Sequence, residues 1–153
     1  MNAIILIGIP ATGKSTFCRQ RFSETHTAIS LDILKSRKRE KTLLDECLAS
    51  KKPFVIDNTN ASPEERHRFI APAKVAGYRV AGYYFSSKVE EALERNRHRE
   101  GAERIREQGI FGVAGRLVLP CWEEGFNEMW FVRMDGNGGF IVDEWNLDQP
   151  GEF

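Results

Sequence analysis

Apolar residues along the chain fall in short continuous runs that alternate with stretches of helical spacing. Ala3–Gly8 (AIILIG) is apolar throughout, the pattern of a strand covered on both faces. Phe17, Cys18 and Phe22 then recur at helical spacing. Thr27–Ser30 reads as a short second strand that ends near Asp32, and Leu43, Leu44, Cys47 and Leu48 mark the inner face of a helix over Leu34–Ser50. Pro53–Asp57 (PFVID) is a third strand. Ser62-Pro63-Glu64-Glu65 opens the next helix, with Ser62 as cap, Pro63 in the first turn and Glu65 closing a capping box. Phe69, Ile70 and Ala73 give that helix its inner face, and Pro72 is expected to kink it. Tyr78–Phe85 predicts a strand and Lys88–Arg99 a helix, whereas the charged, glycine-containing stretch Glu100–Gly115 shows no clear core face. Glu128–Met134 and Phe140–Glu144 flank the glycine-rich turn Asp135–Gly139 and read as a late hairpin.

Repeated strand–helix alternation predicts an α/β protein, a three-layer sandwich with a mostly parallel central sheet. Ligands of such sheets sit beyond the carboxyl ends of the strands. The informative residues are therefore those that follow each strand.

The first of these segments is Gly8-Ile9-Pro10-Ala11-Thr12-Gly13-Lys14-Ser15-Thr16. Its G-x-x-x-x-G-K-S spacing, between an apolar strand and a helix, is that of a phosphate-binding loop (P-loop). Gly8 and Gly13 let the backbone curl so that successive N–H groups face an anion, and the following helix adds the positive end of its dipole. Gly8 to Thr16 are thus the candidate contacts to ATP or another nucleoside triphosphate. Lys14 would reach the β- and γ-phosphates, and the Ser15 hydroxyl would hold a magnesium ion.

Asp57 follows the third strand, where P-loop proteins place the acid that organises magnesium. The competing role is a strand-end turn, and Asn58, Thr59 and Asn60 either form that turn or hold the acid in place. Asp32 ends the second strand, where a carboxylate can accept the proton of an attacking hydroxyl. Capping the Leu34–Ser50 helix is its alternative. Arg95 and Arg99 are four apart and share one helix face, next to the glycine-containing segment. They are read as arginines of a lid over approximately residues 95–116, which would neutralise charge on a transferring phosphoryl group. A solvated charged face is the bland reading of either arginine taken singly.

Composition narrows the setting. The 153 residues fit one domain, 1–153. Lysine plus arginine equal aspartate plus glutamate at 22 each, so an anionic partner must be gripped by a local patch. Neither a secretory signal nor a membrane-spanning length is read in the chain. Three scattered cysteines, Cys18, Cys47 and Cys121, fit a reduced cytoplasmic protein. His26, His67 and His98 have no ligand spacing and are assigned no chemistry.

Taken together, GIPATGKSTF, the strand ending in Asp32, VIDNTNASPEERHRFIAPAKVAGYRV, ALERNRHRE and LPCWEEGF resemble the kinase domain of the polynucleotide 5′-hydroxyl kinases. These are the end-healing enzymes of phage and of bacterial and animal nucleic-acid repair, and the resemblance covers most of the chain. It implies Lys14 and Ser15 on phosphate and magnesium, Asp32 as general base, Arg95 and Arg99 as lid arginines, and Asp57 as the acid after the third strand. It further implies Lys35, with Arg37 nearby, on a phosphate of the acceptor, where some members use arginine, and places Asn58 among the substrate-binding residues. Leu31 stands where the family often has arginine, and Gln108–Ala114 replaces a proline-containing lid segment. No phosphatase or ligase module is read in the chain, so it is expected to act alone or with such partners as separate proteins.

Three functions fit these residues. The leading one is magnesium- and ATP-dependent phosphorylation of a nucleic-acid 5′-hydroxyl. A small-molecule kinase acting on a sugar, nucleoside or antibiotic hydroxyl is the second. A slow nucleotide-binding switch is the third, although a switch has no use for a base aimed at an alcohol.

Overall fold

Five consecutive apolar residues of β1 (Asn2–Ile7), Ala3 to Ile7, are all buried, because the strand lies between two parallel neighbours and under helices on both faces. The computed structural model describes residues 1–148 and Phe153, so residues 149–152 at the far end of the anticipated domain lie outside the described residues. Around β1 run β2 (Thr27–Ile29), β3 (Phe54–Ile56), β4 (Arg79–Phe85), β5 (Glu128–Met134) and β6 (Phe140–Glu144), in the order β2-β3-β1-β4-β5-β6. The first five are parallel and β6 returns antiparallel to β5. The α/β class and the mostly parallel sheet are as the alternation predicts.

Side-chain alternation divides the core into two layers. Ile5, Ile7, Phe54 and Tyr84 point to one face and pack with α3 (Arg37–Ser50) and α4 (Pro63–Val75) through Leu44, Phe69 and Ile70. Ile4, Leu6, Val55 and Phe85 point to the other and pack with Phe17 and Cys18 of α1 (Lys14–Phe22). A third cluster joins Ile9 and Ala11 of the P-loop to Ala92 of α5 (Val89–Arg97) and to Ile110 and Val113 of α6 (Glu107–Arg116).

Three sequence expectations change. The segment Glu100–Gly115 does have a core face, because α6 buries Ile110 and Val113. Gly109, Gly112 and Gly115 of that helix are exposed, and an added Cβ at each would meet only open space. The anticipated Leu34–Ser50 helix is two helices, α2 (Leu31–Leu34) and α3. Lys35 turns left-handed between them at φ 69°, and Ser36 restarts the helix by accepting the Arg39 N–H on its hydroxyl at 3.1 Å. Finally, α4 runs through Pro72 to Val75 as a helix whose capping box closes differently. Its N-terminus is capped by Ser62, whose Oγ accepts the Glu65 N–H at 3.2 Å. Glu65 reaches back one residue further than a capping box requires, to the Ala61 N–H at 2.9 Å.

Sheet order fixes where a ligand fits. The chain leaves β1 towards β2 and β3 on one side and later passes to β4 and β5 on the other. The carboxyl end of β1 is therefore the topological switch point of the sheet. The P-loop lies there.

Candidate functional site

The loop from Gly8 to Gly13 is held by the ends of the neighbouring strands. Its Gly8 N–H donates to Thr59 O at 3.0 Å, beyond β3, and its Ile9 N–H donates to Ser87 Oγ at 3.1 Å, beyond β4. Thr12 Oγ1 closes the curl by donating to Ile9 O at 2.9 Å. Two residues lie in the left-handed region, Ala11 at φ 66° and Gly13 at φ 92°. The loop thus carries strain at Ala11, where a side chain makes that conformation unfavourable. At Gly13 a Cβ would also come within 2.6 Å of Met134 Cε and 2.8 Å of Phe140 Cε1, so the β5–β6 hairpin packs directly on the loop.

Helix α1 starts at Gly13 with no side-chain cap, which leaves its first N–H groups directed into the loop. Lys14 is buried there, and its Nζ donates to Gly8 O at 2.9 Å and Ile9 O at 2.7 Å. Burial lowers the Lys14 ammonium to about 8; the Asp57 and Asp32 charges oppose that shift and the Arg99 charge adds to it. Ser15 Oγ donates to Asp57 Oδ2 at 2.9 Å. Asp57 itself is raised by burial, against the pull of that hydrogen bond and of Lys14.

The strand ends bring together most of the residues picked out in the sequence. Asp32 is exposed on α2, near enough for its charge to act on both Lys14 and Asp57. It does not cap the long helix, since Ser36 does. Arg95 Nε donates to Ala11 O at 2.6 Å, which fixes α5 to the loop; α5 ends at Arg97, so Arg99 does not share its helix face as expected but lies half-buried just past the helix end. Lys35 and Arg37 stand on the corner between α2 and α3, where Arg37 pairs with Glu40 at 2.8 Å. Both ends of the Asn58 amide are engaged within the chain: Oδ1 accepts the Leu31 N–H and Nδ2 donates to Glu40 Oε2, each at 2.9 Å.

Supporting residues escaped the sequence reading. Ser87 sits just after β4, and the rule that selected Asp32 and Asp57 could have found it. Asn60 Nδ2 donates to Leu6 O at 2.7 Å and ties the turn after β3 to β1. Arg66, with no exposed surface, pairs with Glu124 through two hydrogen bonds of 2.6 and 3.1 Å. Its Nη1 also donates to the carbonyls of Asn60, Ala61 and Val118. That one guanidinium fastens the turn after β3 to the segment following α6. On α5, Asn96 binds the backbone of Ile105 from both ends of its amide, which fixes the turn between α5 and α6.

The oxygens of Ser15 and Asp57 are adjacent hard donors, the chemistry magnesium selects. Among the described residues no group of three or more His, Cys, Asp or Glu could hold a metal. The donors therefore suit an ion shared between one carboxylate, a hydroxyl and nucleotide phosphates, the usual mode for magnesium. No helix among the described residues is long and apolar enough to cross a membrane.

Comparison with known proteins agrees with this architecture. A family model described as an AAA domain matches residues 35–113. A bifunctional polynucleotide phosphatase/kinase of Schizosaccharomyces pombe is 28% identical over 130 residues, covering 82% of this chain. The chain spans 32% of that relative's length. Among solved structures, Chaetomium thermophilum Kti12 in complex with ADP-AlF3 superposes with a TM-score of 0.63 at 20% identity, over 87% of this chain and 89% of that one. A gluconokinase from Sinorhizobium meliloti gives 0.59 at 16% identity, over 86% and 81%. These likenesses extend to the fold, that of the P-loop kinases.

Proposed function

The chain belongs to the AAA domain family and has a P-loop kinase fold, and on that footing we propose that it transfers the γ-phosphate of ATP to the 5′-hydroxyl of a polynucleotide. The observation that carries this reading is Asp32, an exposed carboxylate released from capping duty, whose charge acts on the P-loop lysine.

In this reading the acceptor oxygen attacks the γ-phosphorus while its proton passes to the Asp32 carboxylate. The bond from the γ-phosphorus to the β–γ bridging oxygen breaks, and ADP leaves. Lys14 lifts from the carbonyls of Gly8 and Ile9 to meet the β- and γ-phosphates. Arg95 and Arg99, on a lid over residues 95–116, neutralise the charge that spreads over the transferring group. Magnesium held by Ser15 and Asp57 would supply further charge neutralisation on the phosphates.

Two observations support a polynucleotide acceptor. The relative from Schizosaccharomyces pombe bears that activity in its name. Lys35, Arg37, Lys38, Arg39 and Lys41, all exposed, follow Asp32 within nine residues in a chain of zero net charge. Such a run suits the repeating phosphates of a strand better than a neutral sugar.

The test offers γ-labelled ATP with 5′-hydroxyl RNA, 5′-hydroxyl DNA, a nucleoside 3′-phosphate and a panel of sugars. Label is expected on the polynucleotides, with transfer falling steeply as salt rises. Labelling of sugars alone would give the same active site to a small-molecule kinase.

A further inference from the structure

Glu40 is a carboxylate with 1% of its surface exposed, on the inner face of α3 in line with Leu44 and Cys47. Helical spacing would place an aliphatic residue there. A buried acid is costly unless hydrogen-bonded and paired, so its presence needs a local reason. Its hydrogen bonds supply one. Oε1 accepts from Arg37 Nη1 at 2.8 Å, and Oε2 accepts from Asn58 Nδ2 at 2.9 Å.

The second bond fixes the direction of the Asn58 amide, because a carboxylate accepts only from the NH2 end. Oδ1 must then face away from Glu40, and there it accepts the Leu31 N–H. Leu31 directly precedes Asp32 in α2, a helix of four residues too short to hold its own orientation. Asn58 in turn directly follows Asp57, the partner of Ser15. One amide therefore joins the backbone beside Asp57 to the backbone beside Asp32, and Glu40 sets which way that amide points.

We infer that Glu40 is a positioning residue that acts through Asn58 to hold Asp32 at the P-loop. This inference rests on the assignment of Asp32 as general base. Glu40 touches neither substrate. Its contribution is to keep the Asp32 carboxylate within reach of the acceptor hydroxyl, and losses of alignment on that scale cost about tenfold to a hundredfold in rate.

The experiment compares the full chain with Glu40→Met, Glu40→Gln, Asp32→Asn and the Glu40→Met/Asp32→Asn double variant in transfer to a 5′-hydroxyl oligonucleotide. Glu40→Met is expected to lower kcat about tenfold to a hundredfold with the KM values for ATP and acceptor unchanged. Glu40→Gln keeps an oxygen towards Asn58 and is expected to retain most of the rate. In the Asp32→Asn background, Glu40→Met is expected to cost nothing more. Should Glu40→Met fail to fold, Asn58→Ala carries the same expectation, a fall in kcat with the acceptor KM unchanged. Unchanged kcat, or an equal loss in both backgrounds, overturns the positioning role. Full activity of Asp32→Asn removes the base itself, whereas an inactive Asp32→Asn beside a fully active Glu40→Met removes only the role of Glu40.

Discussion

Lys14→Ala is expected to reduce phosphoryl transfer by about a thousandfold or more, while the sheet and helices remain folded. The ammonium donates to the loop carbonyls of Gly8 and Ile9, and its alternative partners are the phosphates expected to displace it from them. Its titration gives a second readout. The folded chain releases this proton near pH 8, whereas the unfolded chain holds it to about 10.5. Between those values the unfolded state binds more protons, so this lysine makes stability rise with pH across that window. Bound phosphates favour the charged form and lift the value again. Nucleotide binding at pH 9 is therefore expected to take up a proton, and at pH 7 to take up nearly none. Calorimetry in buffers of different ionisation enthalpy measures this directly. Equal proton uptake at the two pH values would place the lysine away from the phosphates.

Asp32→Asn is expected to lose at least about a hundredfold in transfer, with ATP–magnesium affinity and melting temperature close to those of the parent. Asparagine preserves size but takes no proton at neutral pH. The position makes the comparison clean, because Asp32 is exposed and Ser36, rather than Asp32, caps α3. A capping residue would instead shift stability by about 1 kcal/mol and spare the rate. Rapid-quench single-turnover assays separate the chemical step from binding, and full activity in this variant would refute the proposed mechanism.

Features that demand particular residue types were legible in the sequence. The P-loop needs glycine where Met134 and Phe140 crowd Gly13, and its proposed role calls for lysine and serine where phosphates and a metal would lie. The hairpin bounds Glu128–Met134 and Phe140–Glu144 were legible because alternation stops on both sides of a glycine-rich turn. The break between α2 and α3 was not, because lysine rather than glycine takes the left-handed position. Helix α6 was missed because two buried residues among three glycines give almost no periodic signal. Glu40 lay within a run of charges, where burial leaves no compositional trace. Its spacing of four to Leu44 and seven to Cys47 was the available clue.

The glycines of α6 bear on how the site behaves with temperature. Each glycine costs a helix about 1 kcal/mol relative to alanine, and a ten-residue helix is marginal on its own. Ile110 and Val113 provide its buried anchorage, whereas the sheet is covered on both faces. The free energy that opens α6 is therefore well below that which unfolds the sheet. Its amides are expected to exchange with solvent long before those of β1. On warming, the segment carrying Arg95 and Arg99 is expected to lose its support while the hydrogen bonds of Gly8 and Ile9 to the strand ends still hold the P-loop. On the proposed mechanism, transfer is then expected to fail before nucleotide binding does, which would put the upper thermal limit of the reaction below the melting point of the protein.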